Sequence, residues 1–370
     1  MMKRYIFNEQ KIENEYKYIF LCGTMYGRNN LTDKRNVLRA YLSENNSNFR
    51  PIILEDNFMF GKSGQRLLRY GDIYMNNLYQ VEMVMNYLSD SNIIIQESIS
   101  TGAEVGLFLS EPGSLKKTCL LVPDKTAVEE DKLGTFIRLA FVDVPNFADM
   151  PNKVDIITFY PEIEENLVSE NVKHWHTHFY KNKIGTNLGE NIIHFLDKCN
   201  VDYKIQFSNN IKKIENGYIY YRVIYGTRLE IKMIPRVLLC CIASILNIEK
   251  VSRNIFGKSK KMKVYIREMK EVLQEVFINT IGEKTGADIQ ECFIKAQWNI
   301  SGVYIGHIIG MSLYLFQAAG FIKIRKDVSY NDNLEVKISR VVLKKPDGTN
   351  FFFYEKYKQC IGTIAETQIL

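Results

Sequence analysis

Asn92-Ile93-Ile94-Ile95-Gln96-Glu97-Ser98-Ile99-Ser100-Thr101-Gly102-Ala103-Glu104-Val105-Gly106 is the stretch on which the fold turns. A short apolar run gives way to small hydroxyl residues, then to a glycine and a carboxylate. The run 92–96 has the length and composition of a strand covered on both faces. Gly102 predicts a sharp turn of the backbone. A helix over 103–110 then places Glu104 in its first turn. Strand, small-residue loop and helix in that order predict an open α/β sheet, whose ligands bind beyond the carboxyl ends of its strands.

Four more runs of the same kind surround it, at 18–22, 51–54, 118–122 and 154–159. Helix-like stretches alternate with them. Thr32-Asp33 caps a helix that reaches about Ser43, and residues 73–88 carry apolar side chains at helical spacing. The expected fold class is α/β: a doubly wound, mainly parallel sheet of about five strands over residues 18–160. Residues 1–17 read as an N-terminal tail and 161–200 as linker helices.

Beyond residue 200 the pattern changes. Residues 218–225 and 228–233 read as a hairpin across Gly226-Thr227. Helices are expected at 236–246, 263–277, 288–298 and 304–319. Strands are expected at 321–325, 334–343 and 350–357, the last two joined by Pro346-Asp347-Gly348. Residues 201–370 are thus expected to form an α+β, winged-helix-like C-terminal domain that binds nucleic acid or a partner.

A chain of 370 residues exceeds what one core usually serves, which agrees with two domains. With 46% hydrophobic and 24% charged residues, the composition is that of an ordinary globular protein. Residues 1–17 have no apolar core and do not read as a signal peptide. No window holds the roughly 18 consecutive apolar residues of a membrane helix. The seven cysteines are scattered without a C-x-x-C pair, which predicts a reducing, cytoplasmic setting.

A second loop, Cys22-Gly23-Thr24-Met25-Tyr26-Gly27, follows the first strand. It lacks both the G-x-G-x-x-G fingerprint and the phosphate-loop Gly-Lys-Ser/Thr, so neither a dinucleotide fold of that type nor a kinase-like site is supported. Glu55-Asp56-Asn57 follows the second strand and suits ribose hydroxyls; Glu97 ends the third. The candidate substrate-binding residues are therefore Cys22, Gly23, Thr24, Glu55, Asp56, Glu97, Ser98, Thr101 and Gly102. Glu104 is the candidate catalytic group. Breaking a C1′–N bond passes through an oxocarbenium-like state that a nearby carboxylate stabilises or attacks. The plainer reading of Glu104 is an acid placed to favour the helix macrodipole.

Residues 18–122 resemble the nucleoside 2-deoxyribosyltransferase-like superfamily. The resemblance rests on Tyr18-Ile19-Phe20-Leu21-Cys22-Gly23, on Gly102-Ala103-Glu104-Val105-Gly106 and on Cys119-Leu120-Leu121-Val122-Pro123-Asp124. Within that superfamily, Leu54-Glu55-Asp56 and residues 98–109 are similar to the N-glycosidase effectors of anti-phage retron systems. The resemblance implies that Glu104 is the nucleophilic carboxylate and that the substrate is NAD or a related nucleotide, with no separate cofactor. It also implies partners: a reverse transcriptase and its DNA–RNA product. The family's Asp partners lie before and on the strand preceding the Glu; Asp90 and Glu97 are the nearest candidates, and the second catalytic group stays open. Two rival readings remain. One is a deoxyribosyltransferase or a nucleoside or nucleotide hydrolase. The other is a non-catalytic DNA-binding regulator that senses a nucleotide. The sequence leaves a homo-oligomer open.

Two other groupings stand out. His174, His176 and His178 share one face if the segment is a strand, as metal ligands would, but no Cys or acid lies among them, and a packed linker is the simpler reading. Of the formal charge of +6, residues 250–270 hold +7, which leaves −1 for the rest of the chain. Arg253, Lys258, Lys260, Lys261 and Lys263 are the candidate phosphate contacts; the alternative is a solvated charged face.

Overall fold

The computed structural model describes residues 4–23, 33–56, 75–111, 113–125, 132–144, 153–160, 178–180, 183–298, 300–327, 335–345 and 347–364. The chain divides into two compact units. One comprises Tyr16–Asn57 and Ser89–Val201; the other comprises Met1–Glu15, Phe58–Leu88 and Asp202–Leu370.

The first unit is built on a five-stranded sheet in the order Phe49–Ile52, Lys17–Cys22, Ser91–Ile95, Thr118–Pro123, Asp155–Phe159. Every pairing in it is parallel. From its first strand the chain moves to one neighbour, then crosses over to the other, so the strand order reverses between Lys17–Cys22 and Ser91–Ile95. That reversal is where open sheets open a crevice for ligands.

The inner strands Ser91–Ile95 and Thr118–Pro123 are buried on both faces, which explains their apolar runs, whereas the edge strand Asp155–Phe159 leaves Asp155 and Thr158 exposed. Val37, Leu38 and Leu42 of the Lys34–Asn45 helix cover one face with Leu188, Ile192, Phe195 and Leu196 of the Thr186–Lys198 helix. On the Ile99–Leu109 helix, Val105 and Phe108 are fully buried, and the Phe108 ring lies 5.7 Å from that of Phe20. The sheet also holds a polar seam. Asn92 donates to Thr118 Oγ1 at 3.1 Å, and the Asp90 carboxylate accepts from the Tyr18 N–H at 2.7 Å.

This unit differs from the expected domain at its edges. It continues past residue 160, because the Thr186–Lys198 helix is part of the sheet's core and not of a linker. It also loses the expected helix 73–88. The described part, Leu78–Leu88, packs on the Pro235–Ile245 and Ile305–Ala318 helices of the other unit. Gln80, Val81, Met83, Val84, Met85, Asn86 and Leu88 are all buried, so the helix is covered almost all round.

In the second unit Ile219–Ile224 and Arg228–Met233 form the expected antiparallel hairpin, with Gly226 at φ +72° in its turn. A four-stranded sheet runs Phe207–Ser208, Ile219–Ile224, Arg228–Met233, Glu291–Ala296. Its last strand replaces the expected helix 288–298. Cys292 and Ile294 point inward while Glu291, Phe293 and Lys295 are exposed, a period of two that suits a strand. A three-stranded antiparallel sheet runs Ser259–Lys261, Glu335–Arg340, Ile322–Asp327. The expected strand 350–357 is only Asn350–Phe351; tight 3₁₀ turns over Phe353–Cys360 follow, then the strand Ile361–Ile364. That strand pairs with Arg4–Phe7, so the N-terminal segment is sheet and not tail. Among the described residues no helix is long and apolar enough to cross a membrane.

Candidate active site at the carboxyl edge of the parallel sheet

The Ile99–Leu109 helix starts earlier than the sequence suggests. Ser98 is its cap: the hydroxyl accepts from the Thr101 N–H at 3.3 Å and meets the Thr101 hydroxyl at 2.7 Å. Gly102 is therefore inside the helix and has no positive φ, so it makes no sharp turn. Glu104 moves with it from the first helical turn to the second. At roughly 100° per residue, Glu104 and Gly102 lie about 200° apart around the helix.

The two flanks face different neighbours. Phe108, one turn beyond Glu104, packs on Phe20 of Lys17–Cys22, so the Glu104 flank faces the first strand. A Cβ added at Gly102 would lie 3.6 Å from Ile137, so its flank faces the Gly134–Ile137 helix. Glu104 is half-buried. It thus stands beside the strand-order reversal, on the side of the Lys17–Cys22 strand.

The polar groups expected at neighbouring strand ends are there, and most are engaged. Asp33 caps the Lys34–Asn45 helix by accepting from the Arg35 N–H at 2.9 Å. The buried Arg35 guanidinium donates to Glu55 at 2.7 Å, and Arg39 donates to Asp56 at 2.8 Å. Lys34 pairs with Glu97 at 2.8 Å and lies 5.6 Å from the Phe159 ring. A Cβ at Gly23 would come within 3.2 Å of Arg35 Cδ, so the glycine lets that side chain pass. Cys22 is buried at the end of its strand. Thr24 lies outside the described residues. Sequence reasoning named the acids and missed the cations. Arg35 and Arg39, four apart on one helix opposite Glu55-Asp56, were the available signal.

On the Gly102 flank a cavity of about 560 Å³ opens. Gln96, Glu97, Ser98 and Gly102 form one wall and residues 132–137 the other. Gln96 ties the walls together: its Nε2 donates to the Ser98 and Lys132 carbonyls, both at 3.1 Å. The Gln96 Oε1 is buried with no partner among the described residues. Leu133 and Ile137 are buried, whereas Phe136 is 72% exposed. After Ile137 the helix widens into a π turn over Arg138–Val142, a distortion common near functional sites. Glu104 does not line this cavity.

Among the described residues no cluster of three His, Cys, Asp or Glu is arranged to hold a metal. His174 and His176 lie outside the described residues. His178 is buried, and its Nδ1 is 2.6 Å from the Tyr160 carbonyl, beside the Asp155–Phe159 edge strand.

In the other unit the basic stretch is divided between elements and is not one loop. Arg253 is exposed on the Glu249–Ile255 helix and paired with Glu249. Lys258 is exposed and donates to Asn254 at 3.4 Å. Lys260 is held by Glu268 at 2.7 Å, 5.5 Å from the Tyr265 ring. Lys261 ends the strand Ser259–Lys261, and Lys263 is exposed in the first turn of Met262–Thr285. Sheet pairing adds cations that the sequence keeps apart. Lys337 is level with Ser259 on one side and Arg325 on the other, and Lys323 is level with Ser339. Lys323, Arg325 and Lys337 are all exposed.

No match to a curated protein is found. Over residues 31–324, most of its length, the chain matches the family described as STM3845 retron effector protein, and it belongs to that family of retron effectors.

Proposed function

We propose that this retron effector is an N-glycosidase acting on a nucleotide, with NAD as its substrate and Glu104 as the catalytic carboxylate. The observation that carries this reading is the placement of Glu104. It is half-buried on the helix that follows the central strand Ser91–Ile95, beside the reversal in strand order and on the flank facing the first strand. A carboxylate there stabilises positive charge as the C1′–N bond of the ribose lengthens, or captures C1′ directly. The bond electrons leave with nicotinamide. Water supplies the new oxygen at C1′ and gives ADP-ribose and a proton. The resemblance of Gly102-Ala103-Glu104-Val105-Gly106 to the helix start that bears the nucleophilic Glu in deoxyribosyltransferase-like proteins supports the same chemistry.

The second unit is proposed to hold the effector on the reverse transcriptase and its DNA–RNA product. Its three-stranded sheet supports a winged-helix-like reading. The Ile305–Ala318 helix leads into Ile322–Asp327 and Glu335–Arg340, and Ser259–Lys261 pairs with the second of these strands.

The test is Glu104→Gln, which keeps the shape and removes the charge. Free nicotinamide released from NAD by the purified chain is expected to fall on the order of 100-fold or more, with an unchanged melting temperature. An active Glu104→Gln protein, or a wild-type chain that binds NAD without releasing base, overturns the reading.

A further inference from the structure

Glu104 and the cavity occupy opposite flanks of one helix, and that separation carries information about ligand size. A single nucleoside with its C1′ at Glu104 does not also fill a cavity on the Gly102 side. A dinucleotide, with two bases joined by a pyrophosphate, is long enough to cross a helix about 10 Å across. We propose that the cavity between Gln96–Ser98 and residues 132–137 receives the second, non-reacting purine base of a dinucleotide, stacked on Phe136. This rests on the reading of Glu104 as the catalytic group.

Four observations converge on it. The volume of about 560 Å³ lies within the range of small-molecule sites. The walls are preformed, because Gln96 fixes the Ser98 and Lys132 carbonyls at 3.1 Å each. Phe136 lines the cavity yet is 72% exposed, so it stands at the mouth, its ring in an edge-to-face pair with Phe141 at 6.3 Å and its exposed surface available to a planar partner. The charge also suits a phosphate. Glu97 is neutralised by Lys34 at 2.8 Å, and Lys132, in no ion pair among the described residues, lines the same space.

Adenosine monophosphate is the probe, titrated calorimetrically into the full chain. Wild type is expected to bind it. Phe136→Ala should weaken binding roughly 5- to 150-fold, the span of a lost base–aromatic stack. Phe136→Trp should stay within a few-fold of wild type. Because the side chain is exposed, neither variant should shift the melting temperature. Glu104→Gln should leave affinity for this probe unchanged. Failure of wild type to bind the probe, or equal affinity in wild type and Phe136→Ala, overturns the proposal even if Glu104→Gln abolishes base release. Weakened binding in Phe136→Ala together with full base release by Glu104→Gln leaves the cavity assigned and overturns the glycosidase reading instead.

Discussion

Gly102 separates what a glycine does in a loop from what it does in a helix. It sits in the second half of the first helical turn with an ordinary φ. A Cβ there would meet Gln96 Nε2 at 3.5 Å and Ile137 Cδ1 at 3.6 Å, both normal contacts. Alanine therefore fits, and it removes the backbone-entropy cost of a helical glycine. Gly102→Ala is expected to stabilise the sheet unit by about 0.5–1 kcal/mol, read as a higher melting temperature. A lower one would mean that the helix is anchored by something the Cβ disturbs. The place of Glu104 on the helix that follows the Ser91–Ile95 strand was legible at this scale, because an apolar run, a small-residue loop and a helical stretch succeed one another there. Its helical phase was not, because the Ser98 cap moved the helix start by four residues from the expected Ala103 to Ile99. Phe136 carried no sequence signal: an aromatic among Gly134, Thr135 and Ile137 reads as core until its exposure is known.

At the scale of elements, the parallel sheet was legible and the second unit only partly so. A strand buried on both faces writes an unbroken apolar run, as in residues 93–95, and five apolar runs gave five strands, the edge strand Asp155–Phe159 among them although Asp155 and Thr158 are exposed. The Glu291–Ala296 strand reads as a helix because its alternation is short and bounded by no turn. The Leu78–Leu88 helix was found, but its partners were not. A helix buried nearly all round does not record which layer covers it. What fixes the second unit across such distances in sequence is a buried ion pair. Arg236, at the start of Pro235–Ile245, meets Glu15 at 2.7 Å, and both side chains are 2% exposed. Cys240 donates to the same Glu15 oxygen at 2.9 Å, Tyr357 at 3.4 Å, and Tyr203 stacks on the guanidinium at 4.6 Å. Arg236→Leu strands a buried carboxylate and is expected to cost about 3–5 kcal/mol. Urea unfolding measures it, and adding Glu15→Gln should recover part of the loss. A neutral Arg236→Leu would show that Glu15 takes up a proton without strain.

For the whole molecule the decisive quantity is where the positive charge sits. The sequence located an excess of +7 in residues 250–270, but a stretch of chain is not a surface. Within it Lys260 is already neutralised by Glu268 and Arg253 by Glu249. Pairing in the three-stranded sheet sets Lys337 beside Ser259, with Arg325 and Lys323 on the strand beyond it, positions that no local window joins. The Ile305–Ala318 helix, which would read a groove in a winged-helix-like domain, is buried continuously from His307 to Phe316. Contact with nucleic acid is therefore expected through the exposed sheet residues and through phosphates, without readout of bases. Each cation that neutralises a phosphate on a duplex contributes about 0.9 to the log–log salt slope. Replacing Lys323, Arg325 and Lys337 with Gln should flatten that slope by roughly 2 to 3. Lys260→Gln alone should barely change it, because its charge is already spent on Glu268. A duplex titration across a salt series separates the two. A full change from Lys260→Gln and none from the triple variant would return the contact to the linear segment and leave the sheet face to solvent.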